Sequence, residues 1–145
     1  MKSDYLKYWR VVRQFIKMKY GLTQSDLDIL LFLYSEKYFK RAKFDEFNKI
    51  LGWEKPRFHR LMNEGWIDKI ERKHKYPIPA IYCLSQKGIN VVRLIYKKLN
   101  GEEIPVTQAN NKMFAKNVSY TDKRYRDMII SMKDSIRQQR RDSPE

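Results

Sequence analysis

The chain reads as a mainly α protein with a small β-hairpin: a winged helix-turn-helix core flanked by N- and C-terminal helices. Three observations predict this class. Two short helical patterns occur, Phe44–Gly52, closed by its own glycine, and Lys55–Asn63, followed by Gly65. A strand, a basic turn and a return strand then run from Trp66 to Leu84, and Ser85 opens a further helix. Longer amphipathic patterns occupy residues 4–20 and 120–141. Helix, helix, hairpin and capped helix in that order are a compact way to present a helix and a loop to a duplex.

Composition narrows the setting. At 145 residues the chain is long enough to build a core unaided, and 42% hydrophobic with 14% aromatic residues argues against disorder. The net charge of +14, from 31 basic against 17 acidic residues, attracts polyanions. Nucleic acid is the first candidate partner; an acidic protein or an anionic membrane is the second. Residues 1–51 carry +5, residues 52–100 carry +7 and residues 101–145 carry +2, so the linear peak coincides with the helix-turn-helix and hairpin. The sole cysteine, Cys83, sits in an expected strand and behaves as a small hydrophobe. No run approaches the roughly 20 apolar residues of a membrane span, and the N-terminus lacks a signal-peptide core. The expectation is an unprocessed, soluble, cytoplasmic protein without a cofactor.

Each element has a local reason. In residues 4–20, Tyr5, Trp9, Val12 and Ile16 recur at helical spacing, with Tyr8 and Phe15 widening the face and Lys7, Arg10, Arg13 and Lys17 opposite. Ser3 or Asp4 can cap this helix and Gly21 ends it. Thr23, with Asp26 three residues on, caps a helix over 24–36 whose Leu27, Leu30, Leu31 and Tyr34 should face the core. Residues 38–42 can add a third strand to the later hairpin. Strands are expected at 66–72 and 80–84, since Pro77 and Pro79 exclude helix between them. The helix opened by Ser85 carries Ile89, Val92, Ile95, Tyr96 and Leu99 on one stripe. Residues 101–119 read as a surface-packed linker with a turn of helix near Met113-Phe114, which leaves 1–100 as the winged-helix domain. In the last helix, 120–141, Tyr125, Met128, Ile129, Met132 and Ile136 form a narrow apolar stripe between charged faces.

Within residues 55–63, Phe58 and Leu61 anchor one face, extended by Met62. Lys55, Arg57, His59, Arg60 and Asn63 remain for the outer surface. Arginine can pair bidentately with guanine in the major groove and asparagine with adenine, so Arg57 and Arg60 are the first candidates for base contact. Arg72, Lys73, Lys75 and Tyr76 at the hairpin tip suit phosphate or minor-groove contact. His74 and His59 are the only histidines, and no Cys or carboxylate cluster at ligand spacing joins them, so no metal site is expected.

Residues 22–88 resemble the winged-helix core of the MarR-type regulators. The likeness rests on Leu22-Thr23 before an apolar helix, then Phe44-x-x-Phe47-x-x-Ile50-Leu51-Gly52. It continues with Phe58-x-x-Leu61-x-x-x-Gly65-Trp66-Ile67 and Tyr82-x-Leu84-Ser85-x-Lys87-Gly88. The basic 72–76 segment and Pro56 depart from that pattern. The resemblance implies dimerisation through the terminal helices, where Tyr5, Trp9, Tyr125, Met128, Ile129, Met132 and Ile136 would meet a second copy.

No phosphate-cradling glycine loop, HExxH or nucleophile elbow is present, and Glu102-Glu103 lack an acid–base partner, so catalysis is not expected. The expected function is double-stranded DNA binding by a homodimeric transcriptional regulator. Two alternatives stay open. One is a phage-type DNA-handling, packaging or virion-associated protein. The other is a winged-helix protein–protein module that docks a partner through the 120–141 helix.

Overall fold

The computed structural model describes the backbone of residues 5–52, 55–70 and 78–142. The elements are α1 (Tyr5–Tyr20), α2 (Gln24–Glu36), β1 (Tyr38–Lys40), α3 (Arg41–Leu51), α4 (Lys55–Asn63), β2 (Ile67–Ile70), β3 (Ile81–Leu84), α5 (Gln86–Leu99) and α6 (Tyr120–Asp142). A single 3-10 turn, Lys112–Phe114, lies between α5 and α6. The fold is thus mainly α with a small antiparallel sheet. The chain divides into two compact units, residues 23–92 and residues 1–22 with 93–145.

In the 23–92 unit, α2 starts at a reciprocal cap. Thr23 Oγ1 accepts the Asp26 N–H at 3.1 Å, and Asp26 Oδ2 accepts the Thr23 N–H at 3.0 Å. Two of the orphan donors at the helix start are thereby satisfied. Leu27, Ile29, Leu30 and Leu33 of α2 are buried. The sheet order is β1-β3-β2, all antiparallel, with Tyr38 opposite Cys83 and Ile67 opposite Leu84. The third strand expected at 38–42 is therefore present but stops at Lys40, because Arg41 already belongs to α3. That early start carries Phe44 into the core, where its ring lies 4.7 Å from that of Phe58.

The turn after α4 explains Gly65. The Trp66 N–H donates to the Leu61 carbonyl at 2.9 Å and the Gly65 N–H to the Met62 carbonyl at 3.1 Å, with Gly65 at φ 84°. This is a Schellman termination, which needs a left-handed residue at that position and favours apolar residues at Leu61 and Trp66. Both are buried.

The Leu84-Ser85-x-Lys87-Gly88 sequence is the clamp that closes this turn. The Ser85 hydroxyl lies 2.6 Å from the Gly65 carbonyl and 3.1 Å from that of Trp66, and it accepts the Gly88 N–H at 3.1 Å as the cap of α5. Lys87 donates to the Glu64 carbonyl at 3.1 Å, its ammonium 3.9 Å from the centre of the Trp66 ring. Gly88 is required because a Cβ there would stand 2.7 Å from the Trp66 carbonyl oxygen. A motif read in the sequence as a helix start therefore fixes the base of the hairpin as well.

In the other unit, α6 packs on α1 and on the 3-10 turn. Ile129, Met132 and Ile136 are at most 3% exposed, and Met113 is fully buried. The segment expected as a linker is tied down at several points. Asn111 caps the 3-10 turn through its Oδ1 and donates to the Pro105 carbonyl at 2.8 Å. Arg126 donates to the carbonyls of Met113 and Ala115, and Arg137 pairs with Glu103 at 2.6 and 3.1 Å. Lys98, buried along its stem, donates to Glu102 at 2.9 Å and to the Glu103 carbonyl at 2.7 Å.

Candidate nucleic-acid interface

The presentation of α4 begins with its apolar side. Phe58 and Leu61 are fully buried. The Phe58 ring centre is 4.7 Å from Phe44, 5.1 Å from Tyr82 and 6.2 Å from Phe39, so α3 and the sheet grip it from two directions. The Arg41 guanidinium covers the same ring at 4.3 Å while its Nε donates to Asp45 at 3.2 Å. Aromatic contacts of this kind add to the area they bury, which fixes the helix rigidly. Sequence reasoning placed Arg41 in a strand and gave it no part; its service to Phe58 rests on a tertiary contact.

With that face fixed, Pro56, His59 and Asn63 are exposed on α4 and form one open stripe at helical spacing. Arg57 and Arg60 lie differently. Arg57 Nη1 donates to Asp26 Oδ1 at 2.8 Å and to Thr23 Oγ1 at 2.9 Å, and its side chain is only 15% exposed. Arg60 Nη2 donates to the same Asp26 oxygen at 2.5 Å but keeps 41% of its side chain exposed, with Nη1 3.6 Å from Glu64 Oε1. Both arginines thus reach across to the start of α2, and only Arg60 also reaches the open face. The helical pattern could separate the apolar face from the rest, but not the solvent-facing side from the side facing α2.

Asp26 is itself fully buried. Burial pushes its carboxyl pKa up, but the Thr23 backbone N–H, the Arg57 and Arg60 guanidinium groups and the Thr23 hydroxyl outweigh this and hold it below the usual carboxylate value. The site therefore keeps the Asp26 carboxylate charged beside the two guanidinium groups.

Of the remaining expected contacts, Arg72, Lys73, Lys75 and Tyr76, with His74, lie outside the described residues, as does the Lys55 side chain. By sequence they fall between β2 and β3. Two consecutive helices, the second held on its apolar face and followed by an antiparallel strand pair, settle the architecture. The unit is a winged helix-turn-helix.

Around the winged helix, other groups have structural duties. Burial, and secondarily Asp68 across the ladder, raise the Cys83 thiol pKa, so it stays protonated. Among the described residues no group of His, Cys, Asp and Glu is arranged to hold a metal ion, and no helix is long and apolar enough to cross a membrane. Of the expected dimer contacts, Ile129, Met132 and Ile136 are already covered within their own chain and have little surface left for a second copy. The physical reason is that α1 and the 3-10 turn occupy the stripe. Tyr125 and Trp9 are half-buried, Met128 is exposed, and the Tyr5 side chain lies outside the described residues. Among the described residues, Leu6, Tyr120, Met128 and Ile130 are the exposed large apolar side chains of α1 and α6.

The unit boundaries also redistribute the charge. Residues 23–92 hold 13 basic and 9 acidic residues, whereas residues 1–22 with 93–145 hold 18 and 8. The winged helix is the less basic of the two units.

No family model and no curated protein matches the sequence. Solved structures of similar fold include a mutant MarR from E. coli complexed with operator DNA, at 13% identity and TM-score 0.46, covering 84% of this chain and 81% of that one. The reduced form of MarR from E. coli aligns at 13% identity and TM-score 0.45, over 88% and 90%. The oxidized form aligns at 15% identity and TM-score 0.44, over 84% and 82%.

Proposed function

We propose that the chain binds double-stranded DNA through α4 and the basic hairpin turn and acts as a transcriptional regulator. The observation that carries this reading is the presentation of α4. Phe58 and Leu61 are locked into the core, while His59, Asn63 and the outer part of Arg60 stand open on one side. A rigid short helix with donor-bearing side chains on its free face suits entry into a major groove. Arg72, Lys73, Lys75 and Tyr76 supply the accompanying phosphate or minor-groove contacts. A homodimer on a two-fold operator would use the open apolar positions Leu6, Tyr120, Met128 and Ile130.

The test is selection of bound sequences from a random duplex pool by the purified chain, at low and at physiological salt. A palindromic motif that survives physiological salt supports a dimeric regulator. Binding without sequence enrichment, lost steeply as salt rises, supports a second reading, a DNA-handling factor that grips the backbone alone. The higher net charge outside the winged helix favours that second reading. Absence of binding at low salt refutes both.

A further inference from the structure

One buried carboxylate holding two arginines of the helix proposed to read DNA calls for an account beyond stability. Asp26 has no exposed surface, and its Oδ2 is committed to the Thr23 N–H. Its Oδ1 accepts from both Arg57 and Arg60, at 2.8 and 2.5 Å. The two arginines are not equivalent around it. Arg57 has a second anchor in the Thr23 hydroxyl at 2.9 Å and is nearly enclosed. Arg60 is held at one nitrogen and extends to the surface, where Glu64 flanks its other terminal nitrogen at 3.6 Å.

We infer that Asp26 is the positioning residue for sequence readout: it fixes Arg57 as a strut inside the unit and aims Arg60 at the duplex. The inference rests on the DNA-binding reading above. An arginine free in water must lose several rotors to form a paired contact with a base, and ordering it beforehand lowers that cost. A guanidinium held on one side by a carboxylate keeps its remaining donors pointing in a fixed direction, as bidentate recognition requires. The carboxylate also sets the charge. Two arginines and Asp26 together offer one net positive charge, so sequence-independent attraction to phosphate is weaker than two arginines alone would give. Selectivity gains from both effects.

The division of labour predicts distinct outcomes for Arg57→Met and Arg60→Met, each removing one charge from the same helix. Site selection with the full chain should return the parental motif for Arg57→Met. For Arg60→Met, one position in each half-site should lose about ten- to hundredfold discrimination. Asp26→Asn should relax that same position while steepening the dependence of log affinity on log salt by about one. An Asp26 that merely supports the fold would weaken all duplexes alike and leave the slope unchanged, which overturns the inference. So does an equal change of motif in the two arginine variants, or a change in Arg57→Met alone. If Asp26→Asn does not fold, the arginine pair decides the matter by itself. A parental chain that selects no sequence overturns the DNA regulator reading and this inference together, whereas a parental motif with undifferentiated arginines overturns only the latter.

Discussion

Replacing Gly88 by alanine sets two opposed effects against each other. In an ordinary helix the change is favourable by up to about 1 kcal/mol, because alanine loses less backbone entropy than glycine. Here the new Cβ would lie 2.7 Å from the Trp66 carbonyl oxygen, with Leu84 carbons at 3.5 Å closing the other side. An ordinary carbon–oxygen contact needs roughly half an ångström more. The Trp66 carbonyl is not free to supply it, because it accepts the Ser85 N–H at 3.0 Å and lies 3.1 Å from the Ser85 hydroxyl. Moving it by that amount stretches both contacts out of hydrogen-bonding range, at about 1 kcal/mol each. Overpacking strain adds about 1–3 kcal/mol. Loss exceeds gain, and the variant should be destabilised by about 2–4 kcal/mol, which lowers Tm by roughly 5–15 °C in a chain of this size. Urea unfolding followed by tryptophan fluorescence and circular dichroism is the assay. A variant as stable as the parent, or more so, would refute the reasoning, because it would mean that α5 can slide off the Trp66 carbonyl without cost.

Three further predictions follow from the geometry. The folded-state pKa of Asp26 lies below its unfolded value of 3.8, so its ion-pair stabilisation is fully present above that value and is lost as pH falls through the depressed folded value; urea midpoints of the parent should drop there, and Asp26→Asn should flatten this part of the profile. Met113→Ala, which empties a fully buried position in the segment between α5 and α6, should cost about 2–5 kcal/mol by chemical denaturation, where a loosely attached linker would give no change. Exchanging Arg137 for Gln breaks its pairing with Glu103, yet both groups are solvent-screened, so the thermal midpoint at physiological salt should stay where it is; a large drop would show that the pair anchors α6.

The sequence made the local devices legible because each is written in neighbouring residues. Thr23 with Asp26 announced the cap of α2, Gly52 and Gly65 the ends of α3 and α4, and Ser85 the start of α5. Phe58 and Leu61 likewise identified the buried side of α4 from spacing alone. What escaped was decided by residues far apart in the chain. Arg57 and Arg60 counted as outward-facing because nothing nearby competes for them, but Asp26, more than 30 residues earlier, does. The α6 stripe of Ile129, Met132 and Ile136 called for a partner that no local pattern could name, and α1 with the 3-10 turn supplies it. Charge counted along the chain peaked at 52–100, whereas counted by spatial unit it favours the helices outside the winged helix, because that unit joins segments separated by 70 residues.

That interrupted unit imposes an order on biosynthesis. The helix α1 is made before α6 and the 3-10 turn that pack against it, which follow roughly 100 residues later, about 5–20 s at ordinary elongation rates. During that interval the compact unit 23–92 lies wholly within chain already made, while Val11, Val12, Phe15 and Ile16 of α1 wait for the rest of their own unit. A nascent chain arrested before Tyr120 would therefore hold α1 without α6, one of the elements it packs against. The completion of this unit is in this sense a matter of timing, set by how far apart its two segments lie along the message.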